Sequence, residues 1–443
     1  MKSKLFFLIV LLLFFVLESC NFNLNSNMAP AVKVEKKLRE WTFLVYMAAD
    51  NDLEAASIQD FNELEAVKYK NIPITILVLV DRSPSYDNSN GNWSGTRLYE
   101  IKTDPNGLDG IIRSKQLEFP ELGLSLDEDV NINTADYTVL RKCIDFTQTQ
   151  YPAKKYGLIM WGHGTGWRGG ESYTPAQEKA FAIDETSESY MRNAELGKAL
   201  VGKKVDLVCF DTCFGGILET AYEIKEDASC MIASETTVPA NGWDYTSLFN
   251  SFIKTDLTTE DFGLCAIEQF KSQYEGEQRV SLSVIDLKQI QNVKSALDSF
   301  GTSLGSLIVD TTTKKSVLDV VLEDTLTFSY GGYPCELYID IFDFAKHITN
   351  AFTSVGAQSL SLQESLKNAI PYSWSSFESG GYNLGLYAFD LSASGVPSST
   401  HSDGYVSGSG AVQQTKFVKE SDGWVPHKNG GNSFLDKLFY TSY

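Results

Sequence analysis

Four apolar, strand-like runs in the first half of the chain constrain the fold more than any other feature. Segments whose apolar residues recur with helical spacing follow them along the chain. The runs are residues 41–49, 74–81, 157–161 and 205–210, and the helical segments are residues 53–68, 134–150, 194–201 and 217–224. Strands that are apolar on both faces are typical of a parallel sheet covered by helices on each side. The alternation predicts a three-layer α/β/α domain with a mostly parallel central sheet.

Two of these runs are followed by short segments of small residues, and each segment includes one reactive side chain. His163 follows one run, in Trp161-Gly-His163-Gly164, and Cys213 follows another, in Asp211-Thr-Cys213. Because chemistry collects at the carboxyl ends of strands in an open parallel sheet, we expect the two side chains to meet there. A nucleophile and a base brought together in this way predict a cysteine hydrolase.

Cys213 differs from the other cysteines in its surroundings. A helix beginning at Phe214 would lower the thiol pKa and offer free amides to a developing oxyanion, and Gly215 would let the backbone approach the substrate. Cys209 lies within the strand and is expected to point into the packed sheet. The alternative for Cys213 is a buried thiol without a catalytic role.

His163 is flanked by Gly162 and Gly164 and has little apolar surface to pack against. It is expected to stand clear of its strand, to protonate the leaving amine and to stabilise the thiolate as an ion pair. Gly164 is assigned to the same turn and oxyanion site as Gly215.

Asp211 lies two residues before Cys213 and shares its face of the strand by the period of two. A carboxylate on the floor of a pocket would select a cationic side chain as a desolvated ion pair. The alternative is a carboxylate that accepts hydrogen bonds from loop amides. Residues 234–245 leave the next strand along the same rim, and Glu235, Trp243 and Asp244 are candidate pocket walls.

The formal net charge of −20 excludes a nucleic-acid-binding role and suits cationic partners, including peptides rich in Lys or Arg. The chain has four histidines, no HExxH helix and no CxxC pair, so we do not expect a catalytic zinc site, and these residues point to no metal ligand.

Residues 1–19 have the pattern of a lipoprotein signal peptide. Lys2 and Lys4 precede an apolar run over residues 5–17, which is too short to span a membrane, and Cys20 follows. The pattern predicts export from a bacterial cell and a lipid anchor on Cys20 in the cell envelope. The alternative is an ordinary cleavage site and a secreted protein. Residues 20–38 are expected to be a flexible tether.

The pattern changes after residue 282. Helical segments at 288–305 and 313–323 precede short strands and loops rich in Ser and Gly. We therefore expect a first domain over residues 39–282 and a C-terminal accessory α+β region over residues 283–443.

Four motifs occur in the order typical of one known family. Tyr46-Met-Ala-Ala-Asp-Asn51, Trp161-Gly-His163-Gly164, Asp211-Thr-Cys213 and residues 239–245 together resemble the clostripain-like cysteine peptidases of the caspase-like group. The resemblance covers roughly residues 40–250. It implies a caspase-like fold, a dyad of His163 and Cys213, Asp211 in the S1 pocket, and cleavage after Arg or Lys.

The resemblance also implies maturation by self-cleavage within the loop after the catalytic histidine. That loop contains Arg168 and Lys179, and we expect the cut between Lys179 and Ala180. Some members of the family require Ca²⁺ and others do not. Asp50, Asp52, Asp184 and Glu185 could bind it, although they lack the spacing of a calcium loop.

Two alternatives differ from an Arg/Lys-specific peptidase. One is a catalytically inactive caspase-like surface lipoprotein that acts as a binding module, against which the intact His163 and Cys213 motifs argue. The other is a peptidase that cleaves after Asn or Asp, and Asp211 disfavours an acidic residue in the pocket.

Overall fold

The structure of the chain is a computed structural model that describes residues 38–69, 72–166, 181–276, 279–329, 335–377, 382–391, 394, 415–426 and 431–440. These residues belong to one compact unit, 38–443. Residues 1–37, and with them the apolar run and Cys20, lie outside the described residues.

Within the described residues, nine strands form one central sheet. The strands are β1 (Arg39–Ala49), β2 (Ile74–Arg82), β3 (Gly95–Glu100), β4 (Lys115–Leu117), β5 (Ala153–Trp161), β8 (Val205–Asp211), β9 (Ala228–Ala233), β10 (Ser281–Asp286) and β13 (Tyr372–Ser375). Their order in the sheet is β13-β10-β9-β8-β5-β1-β2-β3-β4. The five in the middle, from β9 to β2, pair in parallel, and the outer pairings are antiparallel. The predicted mostly parallel sheet is confirmed.

Strand β1 shows how the sheet separates two cores. Its odd-numbered residues from Trp41 to Ala49 belong to one apolar cluster, and Leu44, Tyr46 and Ala48 belong to the other. All of them are 0–2% exposed, as a strand covered on both faces requires.

Helices cover both faces and complete the three layers. The helices are α1 (Glu54–Glu65), α2 (Tyr137–Gln150), α3 (Asn193–Leu200), α4 (Leu218–Ile224), α5 (Tyr245–Phe252), α6 (Thr259–Tyr274), α7 (Ile290–Leu307), α8 (Thr311–Asp319), α9 (Ile341–Ala351), α10 (Gly356–Ala369) and α11 (Lys416–Glu420). Helices α1, α5 and α6 contribute to the core of the odd-numbered face, and helices α2, α3, α4, α7, α9 and α10 contribute to the other.

The C-terminal region is built into the same unit as the first domain. The boundary expected at 282/283 falls inside β10, and β13 extends the central sheet beyond β10. A smaller sheet follows the order β11-β12-β14, with β11 (Thr327–Phe328), β12 (Cys335–Asp340) and β14 (Gly385–Leu391). Strands β6 (Phe181–Asp184) and β7 (Ser189–Met191) form a hairpin.

In the part of the chain that the structure describes, no helix is both long and apolar enough to cross a membrane. Cys143, Cys209, Cys213, Cys230 and Cys265 are free thiols, and all but Cys213 are buried.

Candidate active site

The ends of β5 and β8 bring the two predicted reactive residues to one edge of the sheet. The strands are parallel neighbours, and Trp161 at the end of β5 pairs with Asp211 at the end of β8. The Gly162 amide also donates a hydrogen bond to the Asp211 carbonyl oxygen over 3.3 Å. His163 and Cys213, each two residues beyond this pair, leave the sheet at the same edge.

A cavity of about 200 Å³ opens at this edge. His163, Cys213 and Asp211 all line it, together with Val238 and Gly242 from the loop after β9. The structure therefore brings together the two predicted reactive residues and the predicted pocket carboxylate.

The Cys213 thiol is half-buried beside the Val238 backbone. The Val238 amide donates a hydrogen bond to Sγ over 3.2 Å, and the thiol can donate to the Val238 carbonyl oxygen at 3.6 Å. Burial raises the pKa of the Cys213 thiol, the Val238 amide opposes the rise, and the charge of Asp211 adds to it. A thiol with a raised pKa is neutral at rest and needs a base to become a nucleophile.

The backbone after Cys213 forms a tight turn, which corrects the expected helix start at Phe214. Phe214 has a positive φ of 52°, and α4 begins only at Leu218. A Cβ at Gly215 would lie 2.6 Å from the Cβ of Phe210, so glycine is needed there for packing against β8. Because the effect of a helix dipole is confined to the first turn, α4 does not lower the thiol pKa.

Gly164 holds the two reactive loops in contact. A Cβ at this position would lie 2.7 Å from the Cβ of Thr212 and would collide with the Cys213 carbonyl oxygen. Only a residue without a side chain lets the His163 loop lie directly against the Cys213 turn. The Gly164 backbone is thus beside the nucleophile.

His163 has a carboxylate partner that the sequence analysis did not assign to it. Its Nε2 lies 2.6 Å from Oδ1 of Asp52, an exposed residue in the loop after β1. Asp52 was considered only as a calcium ligand. The signal that could have found it is topological, because β1 and β5 are parallel neighbours and the residues that follow them emerge at one edge. A carboxylate in this position can orient the imidazole and stabilise its protonated form.

Asp211 lies buried on the floor of the cavity. Its Oδ2 accepts hydrogen bonds from the Trp243 amide (3.1 Å) and from the Tyr245 hydroxyl (2.9 Å). Burial raises the pKa of Asp211 to about 6, although both hydrogen bonds oppose the rise. Asp211 therefore accepts a hydrogen bond from a loop amide, as the alternative interpretation held, and it also lines the cavity.

A second carboxylate, Asp60 on α1, lies next to Asp211 and was missed by the sequence analysis. A Cβ built on Gly242 would lie 2.8 Å from Oδ2 of Asp211 and 3.0 Å from Oδ2 of Asp60. Trp161 Nε1 donates a hydrogen bond to Asp60 Oδ2 over 2.6 Å. Burial, and then the charge of Asp211, raise the pKa of Asp60 well above its usual value. Two neighbouring carboxyls with raised pKa values therefore keep a proton to a higher pH than two separate aspartates would.

The three candidate wall residues after β9 lie at different places. Trp243 contributes its backbone amide to Asp211, and its side chain is buried. Asp244 caps α5, where its Oδ1 accepts a hydrogen bond from the Ser247 amide over 2.7 Å. Glu235 is fully buried and lies against Asp340 instead of lining the cavity.

Lys179 and Ala180 lie outside the described residues, and β6 begins directly after them, at Phe181. Of the four residues considered for Ca²⁺, Asp50 and Asp184 lie in one buried group with Asp81. Asp52 contacts His163, and Glu185 accepts a hydrogen bond from a tyrosine hydroxyl over 2.8 Å.

A thiol and an imidazole that line one cavity at the carboxyl edge of an α/β sheet define a class of protein, the cysteine hydrolases.

The chain belongs to the clostripain family, whose model matches residues 45–406, and is a cysteine protease of that family. Clostripain of Hathewaya histolytica is 28% identical to it over 382 residues, which cover 76% of this chain and 71% of clostripain. The resemblance found in the motifs is confirmed.

Solved structures show the same fold. An inactive zymogen of a C11 protease from Parabacteroides distasonis superposes with a TM-score of 0.61 at 19% identity and covers 87% of this chain and 98% of its own. A secreted C11 cysteine protease from Bacteroides thetaiotaomicron, in complex with an irreversible peptide inhibitor, gives a TM-score of 0.54 at 18% identity and covers 81% and 88%. The predicted caspase-like architecture is confirmed.

Proposed function

We propose that this protein is an endopeptidase that cleaves after Arg or Lys, with Cys213 as nucleophile and His163 as general base and acid. The observation that carries the proposal is the single cavity lined by Cys213, His163 and the buried carboxylate of Asp211.

The first half of the reaction forms a thioester. The Cys213 proton passes to His163 as Sγ attacks the scissile carbonyl, and His163 then gives the proton to the leaving amine as the C–N bond breaks. Asp52 stabilises the imidazolium between these transfers. The raised thiol pKa makes the base necessary. The Gly164 backbone, packed against the Cys213 turn, is the proposed source of an amide for the oxyanion.

The second half hydrolyses the thioester. His163 takes a proton from water, whose oxygen attacks the acyl carbon, and the Cys213 thiol leaves with that proton. The carboxylate product and the free enzyme result.

Asp211 and Asp60 account for a basic residue at the cleaved position. A guanidinium or ammonium that enters the cavity finds a carboxylate with little water around it, where an ion pair is stronger than in bulk solvent. Since burial raises the pKa of both carboxyls, Asp60 can hold a proton and release it when the cation arrives. Glu235 has no part in this pocket, because it lies against Asp340.

We further propose that the chain matures by cutting itself between Lys179 and Ala180. The position is supported by β6, whose first residue follows Ala180 and bridges to Gly164 in the His163 loop. A new terminus there would lie beside the cavity. Intact mass tests the cut, since the active protein should form two chains and Cys213→Ala should stay as one. Cleavage of purified Cys213→Ala at the same bond would contradict self-cleavage.

Export, with a lipid on Cys20, remains our proposal for the N-terminus and rests on the basic start, the apolar run and the cysteine after it. Mass spectrometry of the mature protein should find an acylated Cys20 as the first residue. Membership in the clostripain family and the shared cavity favour an enzyme over the inactive surface protein considered above.

The activity is tested with a panel of coumarin peptides that end in Arg, Lys, Asn or Asp. The protein should release coumarin from the Arg or Lys peptides at least about 100-fold faster than from the Asp peptide, a difference expected for a buried charge pair. Cys213→Ala should be inactive, and Cys209→Ala is the matched control because its thiol lies in the body of β8. Equal rates on all four peptides would refute the proposed specificity.

A further inference from the structure

A further cavity of about 380 Å³, which we call the second cavity, lies beside α1. Five residues of the helix line it, at the spacing i, i+3, i+4, i+7 and i+8 from Ala55, which places them on one face. The loops that follow β2 and β3 form the rest of its wall, at Ser89, Leu108 and Gly110. The active-site cavity lies beside the same helix, because Leu53, directly before α1, lines it.

The second cavity combines apolar surface with one carboxylate. Ile58 is buried and Leu108 is 66% exposed, so the lining is apolar both inside the fold and at its surface. Among the described residues that line the cavity, Glu63 is the one with a charge. A Lys or Arg side chain has the same two parts, because its aliphatic stem packs on apolar surface while its head carries a charge.

The Glu63 carboxylate is available to a cation. Its Oε2 accepts a hydrogen bond from the Tyr245 amide over 3.0 Å, and no described residue donates to its Oε1. None of the ion pairs found in the described part of the chain includes Glu63. Burial raises the pKa of Glu63 to about 7 against the effect of the Tyr245 amide, and the charges of Asp244 and Asp211 add to the rise. A cation in the cavity would offset this cost of the charged form.

Asn62, one turn along α1 from Ile58, adds an acceptor to the same wall. Its Nδ2 donates a hydrogen bond to the Ile58 carbonyl oxygen over 2.9 Å, which fixes the orientation of the amide. Its Oδ1 is buried and accepts no hydrogen bond from any described residue, although buried acceptors are rarely left without a donor. A guanidinium carries five N–H donors, more than one carboxylate oxygen can accept, and would supply the missing one.

We propose that the second cavity binds a second basic side chain of the substrate, so that the enzyme prefers peptides with two basic residues near the cleaved bond. The inference rests on the proposed function, in which Asp211 binds the basic residue at the cleaved position. The stem of the second residue would pack against Ile58 and Leu108, and its head would pair with Glu63. Because Glu63 is only partly exposed, the pair is stronger than one in bulk water.

Tyr245 limits the distance between the two sites for basic residues. Its amide donates to Glu63, and its hydroxyl donates to Asp211 over 2.9 Å. The two carboxylates are therefore separated by one tyrosine and two hydrogen bonds, on the order of 15 Å at most, and an extended peptide advances about 3.3 Å per residue. The second basic residue is thus expected within about four residues of the first.

The preference is measured with internally quenched peptides that carry Arg at the cleaved position and one Lys up to four residues before or after it. Each has a partner peptide with Gln in place of the Lys, and mass spectrometry of the products assigns the cleaved bond. For at least one Lys position, kcat/KM for the bond after Arg should exceed that of the Gln partner by about fivefold, chiefly through KM. Values within twofold at every position would overturn the proposal.

Variants assign the gain from Lys to the second cavity. Glu63→Gln should remove the gain, because its amide keeps the shape of the side chain without the charge. Gln59→Lys changes an exposed position of α1 and puts an ammonium in the same cavity, so it should remove the gain even if Glu63→Gln does not fold. The control is Asp145→Asn, an exposed position on α2 that should keep the gain. An undiminished gain in Gln59→Lys would place the second basic residue elsewhere and refute the proposal.

Calorimetric binding to Cys213→Ala separates this inference from the proposed function. The Lys peptide with the largest gain should bind with a Kd about fivefold below that of its Gln partner, and Gln59→Lys in the same background should make the two equal. Equal affinities in Cys213→Ala itself would contradict the second site. Cleavage after Arg without a gain from Lys would refute the inference alone, whereas tighter binding of the Lys peptide without any cleavage would support it and refute the proposed function.

Discussion

Two buried pairs of carboxyl groups differ in what their surroundings let them do. In the pocket pair, Asp211 lines the same cavity as Cys213, and Asp60 lies next to Asp211 beside Gly242. The closed pair, Glu235 and Asp340, is fully buried, and neither of its residues lines that cavity. Burial is the main cause of a raised pKa in all four groups. Only the pocket pair has room for a cation from a substrate.

The closed pair retains a proton, whereas the pocket pair can bind the cation of a substrate. Burial raises the pKa of Asp340 to about 7, and burial together with the charge of Asp340 raises that of Glu235 well above its usual value. Glu235 therefore keeps its proton to a higher pH than an exposed glutamate does. The difference teaches that a raised carboxyl pKa identifies a binding site only where the group also faces a cavity.

The largest expected effect separates the two pairs by activity. Asp211→Asn should lower kcat/KM for an Arg peptide by about 100-fold or more, because a desolvated charge pair is worth several kcal/mol. Glu235→Gln is the matched control, and it should stay within about twofold of the parent since it does not reach the cavity. Steady-state kinetics on the coumarin peptides measure both. Similar losses in the two variants would break the comparison.

A smaller effect is expected for the second member of the pocket pair. Asp60→Asn should lower kcat/KM for Arg peptides by about tenfold, chiefly through KM. Asp60 attracts the substrate's cation by its charge, and its Oδ2 accepts a hydrogen bond from the Trp161 side chain. The loss should shrink below pH 6, where the parent's pocket pair is itself becoming neutral. A loss as large as that of Asp211→Asn, at all pH values, would show that Asp60 has been assigned the wrong role.

The closed pair should affect stability and leave activity almost unchanged. The folded pKa of Asp340, about 7, exceeds its ordinary value of 3.8. Its contribution to stability is therefore fully present below pH 4 and is lost as pH rises toward 7. Asp340→Asn keeps the cap on α9 and removes this loss, so it should gain on the order of 4 kcal/mol at pH 8 and nothing at pH 4.

Urea unfolding of Asp340→Asn in the Cys213→Ala background measures this gain, with Asp145→Asn as the charge-matched control. A gain of the same size at pH 4 and pH 8 would mean that titration is not its cause.

Much of the fold was predictable from sequence because its signals are local. The apolar runs at 41–49, 74–81, 157–161 and 205–210 became the strands that place Cys213 and His163 at one edge. The residues that follow parallel strands emerge together by topology alone, so the cavity itself could be anticipated.

The surroundings of the cavity could not be read in the same way. Asp60 lies on a helix, where an acidic residue ordinarily faces water, and only the packing of α1 near Trp161 buries it. Glu235 follows β9 at the same edge of the sheet as the cavity. Its side chain nevertheless lies against Asp340, more than 100 residues later in the chain, and does not line the cavity. The helix expected after Cys213 begins later because Phe214 adopts a positive φ. Long-range contacts decide each of these cases.

The most direct test of the account is the mass-spectrometric mapping of a peptidyl chloromethyl ketone that carries Arg at its reactive end. The reagent should attach to Cys213 and to no other cysteine, and an otherwise identical reagent that ends in Asp should not react. Asp211→Asn should react with the Arg reagent far more slowly. Labelling at another cysteine, or equal labelling by the Arg and Asp reagents, would contradict the assignment of Cys213 as nucleophile and Asp211 as the group that selects a basic residue.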